Sequence, residues 1–205
     1  MARGDFIVDG HLGGYVEGGD PNTTYPTLWR WLVDEFASFG DDGSDGLLDV
    51  GCGDGAAVRW FDSCPEWSGS VWGIDGLAPD DPVLLRHDYT LGPSVVRDRF
   101  VPFDLVWSCE FVEHVAERHV YSIVRDLAYG MALAMTHALP GQPGHHHVNC
   151  KPSAYWQALM EQQGMRLDPD RTQHARELAR LDVPGDACYF GVTGLVFVRD
   201  SIETV

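Results

Sequence analysis

Leu47-Leu48-Asp49-Val50-Gly51-Cys52-Gly53-Asp54-Gly55-Ala56-Ala57-Val58 decides the reading of this 205-residue chain. An apolar run ends in three alternating glycines, and a segment compatible with a helix follows. Such a strand–turn–helix unit lets backbone N–H groups approach a ligand closely, because glycine has no Cβ to stand in the way. No Gly-Lys-Ser or Gly-Lys-Thr closes the turn, which argues against a triphosphate loop. The spacing is not Gly-x-Gly-x-x-Gly either, which disfavours NAD and a dehydrogenase. Downstream, Val71-Trp72-Gly73-Ile74-Asp75 reads as a second strand ending in a carboxylate. It lies roughly 20 residues after the turn, the separation expected for gripping ribose hydroxyls in an α/β nucleotide fold. The plainer alternative is a glycine-rich turn followed by a solvated aspartate.

Composition narrows the partners. The length suits one domain with a full core, and 44% hydrophobic with 11% aromatic residues describes a folded globular chain. Fourteen basic against 31 acidic residues give a formal net charge of -17. That field repels phosphate backbones and anionic membranes over a Debye length of about 8 Å. No Lys/Arg cluster occurs and Lys151 is the single lysine, so nucleic acid and membrane are disfavoured and a small-molecule or glycan acceptor is favoured. Five cysteines at irregular spacings (Cys52, Cys64, Cys109, Cys150, Cys188) make neither a disulfide framework nor a zinc knuckle. Without a signal-like N-terminus or a long apolar span, the expectation is a soluble, cytoplasmic protein.

Residues 1–26 are rich in Gly, Asp and Thr, and read either as a loose leader or as a lid hinged on glycines with Tyr15 as its apolar face. Residues 27–205 form one domain. Helical spacing runs from Leu28 to Phe36 with Pro26 near its start, and residues 41–46 are a turn-rich break. Further strands are expected at 83–89, 103–108, 131–136, 165–167 and 190–198, with helices at 117–129, 152–163 and 173–181. Strands alternating with helices demand a mainly parallel sheet covered on both faces.

The run Asp-Val-Gly-Cys-Gly-Asp-Gly at 49–55 resembles motif I of the class I S-adenosylmethionine (SAM) dependent methyltransferases, of the type 11/23 kind. Nearly all of the chain after residue 25 fits that resemblance. It implies an α/β, Rossmann-like fold: a mainly parallel seven-stranded sheet with an antiparallel C-terminal strand and helices on both faces. It also implies a cofactor site in which Gly51, Cys52, Gly53 and Gly55 admit the methionine portion and Asp49 braces the turn. Asp75 would hold the ribose, Asp88 would face the adenine amino group with Tyr89 against the ring, and Cys109 would line the methionine pocket. Asp88 read alone is equally a turn aspartate. A nucleophilic role for Cys109 is superfluous, because methyl transfer needs no covalent enzyme intermediate. Trp107 and Trp156 could stack on a ring-shaped acceptor, but core packing is the default for Trp.

Glu110-Phe111-Val112-Glu113-His114 follows the fourth strand, at the carboxyl edge where such sheets bind ligands. If it opens a helix, Glu110, Glu113 and His114 share one face. Two carboxylates and an imidazole there repel or desolvate one another unless a cation or protons intervene. Glu-x-x-Glu-His in this position is similar to two metal-dependent groups, the ubiquinone-pathway O-methyltransferases and the small-RNA 3′-terminal 2′-O-methyltransferases. The latter add a His-rich stretch before an aromatic-bearing helix, which His145-His146-His147 ahead of Tyr155-Trp156 matches in chain order. The resemblance implies a divalent metal (Mn, Fe, Co, Zn or Mg) on Glu110, Glu113, His114 and His147, activating a hydroxyl. The bland alternative is a metal-free site with solvated histidines, in which His114, His145 or His147 serves as general base. In an extended segment His145 and His147 would face the same side. The expected function is O-methylation of a small-molecule or glycan hydroxyl. An RNA 2′-O-methyltransferase, which the charge opposes, and a catalytically silent SAM-binding module are the alternatives.

Overall fold

The computed structural model describes residues 6–7, 10–12, 14–37, 46–65, 67 and 69–199. The turn-rich break at 41–45 and most of the first nine residues lie outside them. Two short antiparallel strands, β1 (Phe6–Ile7) and β2 (Tyr15–Val16), precede helix α1 (Pro26–Phe36). Pro26 sits at the first helical position, where its fixed φ is favourable and its missing N–H harmless. The glycine motif then unfolds as predicted: β3 (Gly46–Val50), a turn, and α2 (Ala56–Asp62). Next come β4 (Ser70–Asp75), β5 (Leu84–Arg86), the short α3 (Val96–Arg99) and β6 (Phe103–Ser108). The C-terminal half holds α4 (Val120–Leu127), β7 (Gly130–Met135), α5 (Ser153–Glu161), β8 (Met165–Leu167), α6 (Pro169–Asp182), α7 (Tyr189–Thr193) and β9 (Leu195–Arg199).

Seven of these strands form one sheet in the order β5-β4-β3-β6-β7-β9-β8. Pairing is parallel from β5 to β7, whereas β9 runs antiparallel to both neighbours. Alternate residues of the central strands feed two cores, as the two-residue period of a strand requires. Leu47, Leu105 and Trp107 join α1, α2 and α6 on one face. Leu48, Val50 and Val106 join α4 and α5 on the other. Both faces are covered, so β3 is buried along its whole length.

Three local expectations give way. Residues 190–193 are helical rather than extended. The Cys188 sulfur caps α7 by accepting from the Gly191 N–H, and the chain resumes as a strand only at Leu195. This turns Phe190 inward to stack on Trp107, with centroids 5.4 Å apart and planes 9° from parallel, while Tyr25 meets both rings edge-on. The helix expected at 173–181 begins earlier, because Asp168 accepts from the Arg171 N–H and starts α6 at Pro169. Glu110 to His114 opens no helix: Glu110 has φ +52°, and only one tight turn, Val112–His114, follows.

Phe190→Ala is expected to cost about 3–5 kcal/mol, read as a lower urea midpoint with an unchanged slope. A loss below about 1 kcal/mol would mean that the Trp107 stack does not hold the C-terminal helix in place.

Candidate active site

At the carboxyl ends of β3, β4 and β6 two cavities lie side by side, of about 270 Å³ and about 300 Å³. Both share Gly14, Tyr15, Gly51, Glu110 and His114, so the N-terminal segment and the glycine turn stand between them. Gly51, Gly53 and Gly55 all adopt left-handed φ (+81°, +57° and +86°), which explains their sequence spacing. The small size of all three is used by the chain itself, that of Gly55 by Leu84 at 2.9 Å. A Cβ on Gly51 would meet the Phe111 ring at 2.2 Å, and one on Gly53 would meet the Tyr15 ring at 3.1 Å.

Asp75 holds this turn. Its carboxylate accepts from the N–H of Gly53 at 3.1 Å and from that of Leu77 at 2.8 Å. Burial raises its pKa to about 6, against the lowering effect of those two N–H groups. Asp49 was expected to brace the turn, but its buried carboxyl accepts no hydrogen bond from the described residues and faces the first cavity instead. Burial, and then the nearby charge of Asp75, pushes Asp49 well above the usual carboxylate range.

The second cavity gathers Asp75, Asp88, Tyr89 and Phe111. Burial would raise the Asp88 carboxyl, but hydrogen bonds from Thr90 and His11 outweigh it and hold it below its usual range. The buried Tyr89 hydroxyl donates to Asp126 at 2.7 Å, which fixes its ring as a wall. The first cavity takes in Cys52, Cys109, Glu110, His114, His145 and His147. Burial, and for Cys109 also Glu110, raises both thiols well above their usual range, so neither is a thiolate nucleophile. Trp107 lines this cavity, whereas Trp156 is wholly buried and lines neither.

Residues 10–12 and 14–20 border both cavities. His11 contacts Asp88 at 3.0 Å, and the Gly18 N–H donates to Asp54 at 2.6 Å. His145 meets the Gly10 carbonyl at 3.2 Å. None of these contacts could be read in the sequence, because they join positions far apart in the chain.

Behind the first cavity lies a group of metal-type donors. Among the described residues, Glu113, His114 and His147 bring one ligand atom each to within 4.8 Å of one another. Glu113 is fully buried and no N–H or hydroxyl of the described residues reaches its oxygens, which lie against the Glu110 carboxyl; among the described residues His114 Nδ1 and both side-chain polar atoms of Asn149 are likewise buried and unpartnered. Burial raises Glu113, and the charge of Glu110 raises it further. Burial lowers His114 to about 4, which keeps its imidazole neutral. His147 Nδ1 lies 3.1 Å from the Gln142 carbonyl, a contact that leaves Nε2 with its lone pair when Nδ1 carries the proton. Glu110, the fourth expected ligand, is outside this group: its carboxylate accepts from the Thr136 hydroxyl at 2.9 Å. His145 and His147 do line one cavity and His146 the other, but through a turn with His146 at φ +47° rather than an extended segment.

A seven-stranded sheet with one reversed strand next to its edge, and a glycine turn at the carboxyl end of the interior strand β3, is the Rossmann-like fold of the class I methyltransferases. The sugar N-methyltransferase KedS8 from Streptoalloteichus sp ATCC 53650 superposes with a TM-score of 0.54 at 16% identity, covering 97% of this chain and 98% of that one. PKMT2 from Rickettsia typhi, solved in complex with AdoHcy, superposes with a TM-score of 0.52 at 10% identity, covering 89% of this chain and 54% of that one. No protein-family model and no curated protein matches the sequence. At such identities the likeness is one of fold, and function has to be argued from the site. Among the described residues, no helix is long and apolar enough to cross a membrane.

Proposed function

We propose that the protein is a SAM-dependent methyltransferase of the type 11/23 kind that methylates a hydroxyl of a small molecule or glycan. The observation that carries this reading is the buried carboxylate of Asp75 at the end of β4, bonded to a left-handed glycine turn at the carboxyl edge of a parallel sheet. An acid with two N–H donors and an open cavity beside it has capacity left for ribose hydroxyls. In this reading the second cavity takes adenosine, with Asp88 at the adenine end and Tyr89 as its wall. Gly51, Cys52 and Gly53 then border the methionine portion on its way into the first cavity, which Cys109 also lines. Bound SAM supplies an electrophilic methyl group on a sulfonium. The chain's part is to orient it and to present the acceptor from the side of Glu110, His114, His145 and His147. No Lys or Arg lines the first cavity, which suits an uncharged acceptor better than an anionic one.

Asp75→Ala is expected to weaken S-adenosylhomocysteine (SAH) binding at least tenfold, about 1.4 kcal/mol, in isothermal titration. The parent protein carries a pH signature of the same contact. Ribose hydroxyls donate to the ionised acid, so affinity is full above neutrality and declines as the pH falls through about 6. Equal affinities for the two proteins, or no decline at low pH, would refute the ribose role.

The same proposal extends to a divalent cation held by Glu113, His114 and His147, with Glu110 adjoining. The donors fit: a buried carboxyl that no N–H or hydroxyl of the described residues reaches and whose near neighbour is the Glu110 carboxyl, a neutral imidazole, and a second imidazole whose other nitrogen is engaged by a carbonyl. Carboxylate with imidazole suits Mn, Fe, Co or Zn at least as well as Mg, which prefers oxygen. Such an ion would act as a Lewis acid on the acceptor hydroxyl; without it, His145 or His147 would have to act as the base. In chelator-stripped protein, Mn or Zn at 100 times its dissociation constant should raise stability by about 2.7 kcal/mol, a melting shift of roughly 5–10 °C. Glu113→Gln should remove most of that shift; no shift in the parent would sink the metal reading.

Residues 14–20 act as the lid in this proposal, because Tyr15 covers Gly53 where the methionine portion must pass. Tyr15→Ala is expected to speed SAH dissociation severalfold in stopped flow. An unchanged rate would make the segment a fixed wall rather than a lid.

A further inference from the structure

The imidazole of His147 is held more closely than a loop histidine needs to be. Its Nδ1 lies 3.1 Å from the Gln142 carbonyl. A carbonyl only accepts, so Nδ1 carries the proton and the in-plane lone pair belongs to Nε2. The carbonyl is itself fixed. The Gln142 N–H donates to the Leu139 carbonyl at 2.9 Å, and the Gln142 Oε1 accepts from the Leu139 N–H at 3.0 Å. The Cys150 thiol donates to the same Gln142 carbonyl at 3.7 Å. Gly144 supplies the second hold. A Cβ on it would lie 2.1 Å from Nε2, 2.3 Å from Cε1 and 2.5 Å from Cδ2 of His147. Near-equal distances to three neighbouring ring atoms put that point over the face of the ring. An approach in the ring plane would leave the two carbons well farther off than the nitrogen. The bare α-carbon of Gly144 therefore backs the ring face without standing in line with the Nε2 lone pair. Gly144 has no left-handed φ, so its place asks for a missing side chain rather than for backbone freedom.

We infer that Gly144 is a positioning residue of the donor group. By backing the His147 ring with no side chain, it lets the Gln142 carbonyl set the tautomer and leaves Nε2 to a cation shared with Glu113 and His114. This rests on the cation reading above. Glu113 and His114 come from the tight turn after β6, whereas His147 arrives on a distant loop, yet the three bring ligand atoms to within 4.8 Å of one another. That loop is clamped at both ends, by the Gln142–Leu139 pair and by the Val148 and Asn149 N–H groups on the Glu113 carbonyl. A methyl on Gly144 would overlap the ring, so the ring would have to turn or the loop to shift. Either movement breaks the carbonyl contact. A ligand already held in its binding orientation loses less freedom when the metal arrives. Removing such an outer support typically costs about 10–100-fold in metal affinity.

Gly144→Ala is the informative variant, read on the chelator-stripped whole chain with Zn or Mn as the probe. Calorimetry should find the metal bound about 10–100-fold more weakly than by the parent protein. SAH affinity should stay at the parent's level, which shows the fold and the cofactor cavities to be intact. The loss should vanish when His147 is absent: His147→Ala and the double variant should bind the metal equally weakly, because the glycine acts only through the ring. A further loss in that background, or a metal affinity unchanged by Gly144→Ala, would assign Gly144 to loop packing and overturn the inference. The parent protein gives a check that needs no glycine variant and so stands even if Gly144→Ala does not fold. Nitrogen NMR of histidine-labelled, metal-free protein in alkaline buffer should show His147 with its proton on Nδ1, the signal being assigned by its loss in His147→Ala. A proton on Nε2 would overturn the inference. A parent protein that binds neither metal overturns the cation reading itself, and this inference with it.

Discussion

The hydrogen bond from the Gly53 N–H to the buried carboxylate of Asp75 is the constraint around which this site is arranged. It ties the turn after one parallel strand to the end of the next, and it works only if the turn residues accept left-handed φ. A side chain at Gly51 would collide with Phe111, so the turn, the ring and the acid are set together. The acid is held by two N–H groups, yet burial still raises its pKa. Asp49 lies close enough to add to the repulsion. Two carboxyls left this poorly compensated at the ends of adjacent strands lower the stability of the protein alone. Their position is explained by a polar ligand that supplies the missing donors.

The sheet was legible in the sequence because its signals are local. Continuous apolar runs marked β3, β4, β6 and β7, and helical spacing marked α1, so the parallel order followed from alternation of types. Asp75 was legible for the same reason, since its separation from the glycine turn is fixed by one helix and one strand. Glu110 was not. A left-handed glutamate breaks the helix that the Glu-x-x-Glu-His spacing suggested, and its cause is tertiary: its N–H and its carboxylate both bond to Thr136 at the end of β7. Phe190 misled in another way. Its apolar neighbours suit a strand, but the Cys188 cap and the Trp107 stack outweigh that propensity. The contacts of Tyr15, His11 and Gly18 with the site span dozens of residues, and no local pattern encodes them.

The histidine stretch shows how one backbone feature can sort chemically identical residues. His146 takes φ +47°, and the turn there sends His145 and His147 to one cavity and His146 to the other. The backbone after it is anchored, because the N–H groups of Val148 and Asn149 both donate to the Glu113 carbonyl. Glu113 therefore acts twice. Its main chain fixes the loop that carries His147, and its side chain lies in the donor group that His147 completes. Any movement of the 145–149 loop would alter the spacing of those donors. The same loop contacts the N-terminal segment through His145 and the Gly10 carbonyl. The segment that lines the cavities and the loop that carries the donors are thus in direct contact at this point.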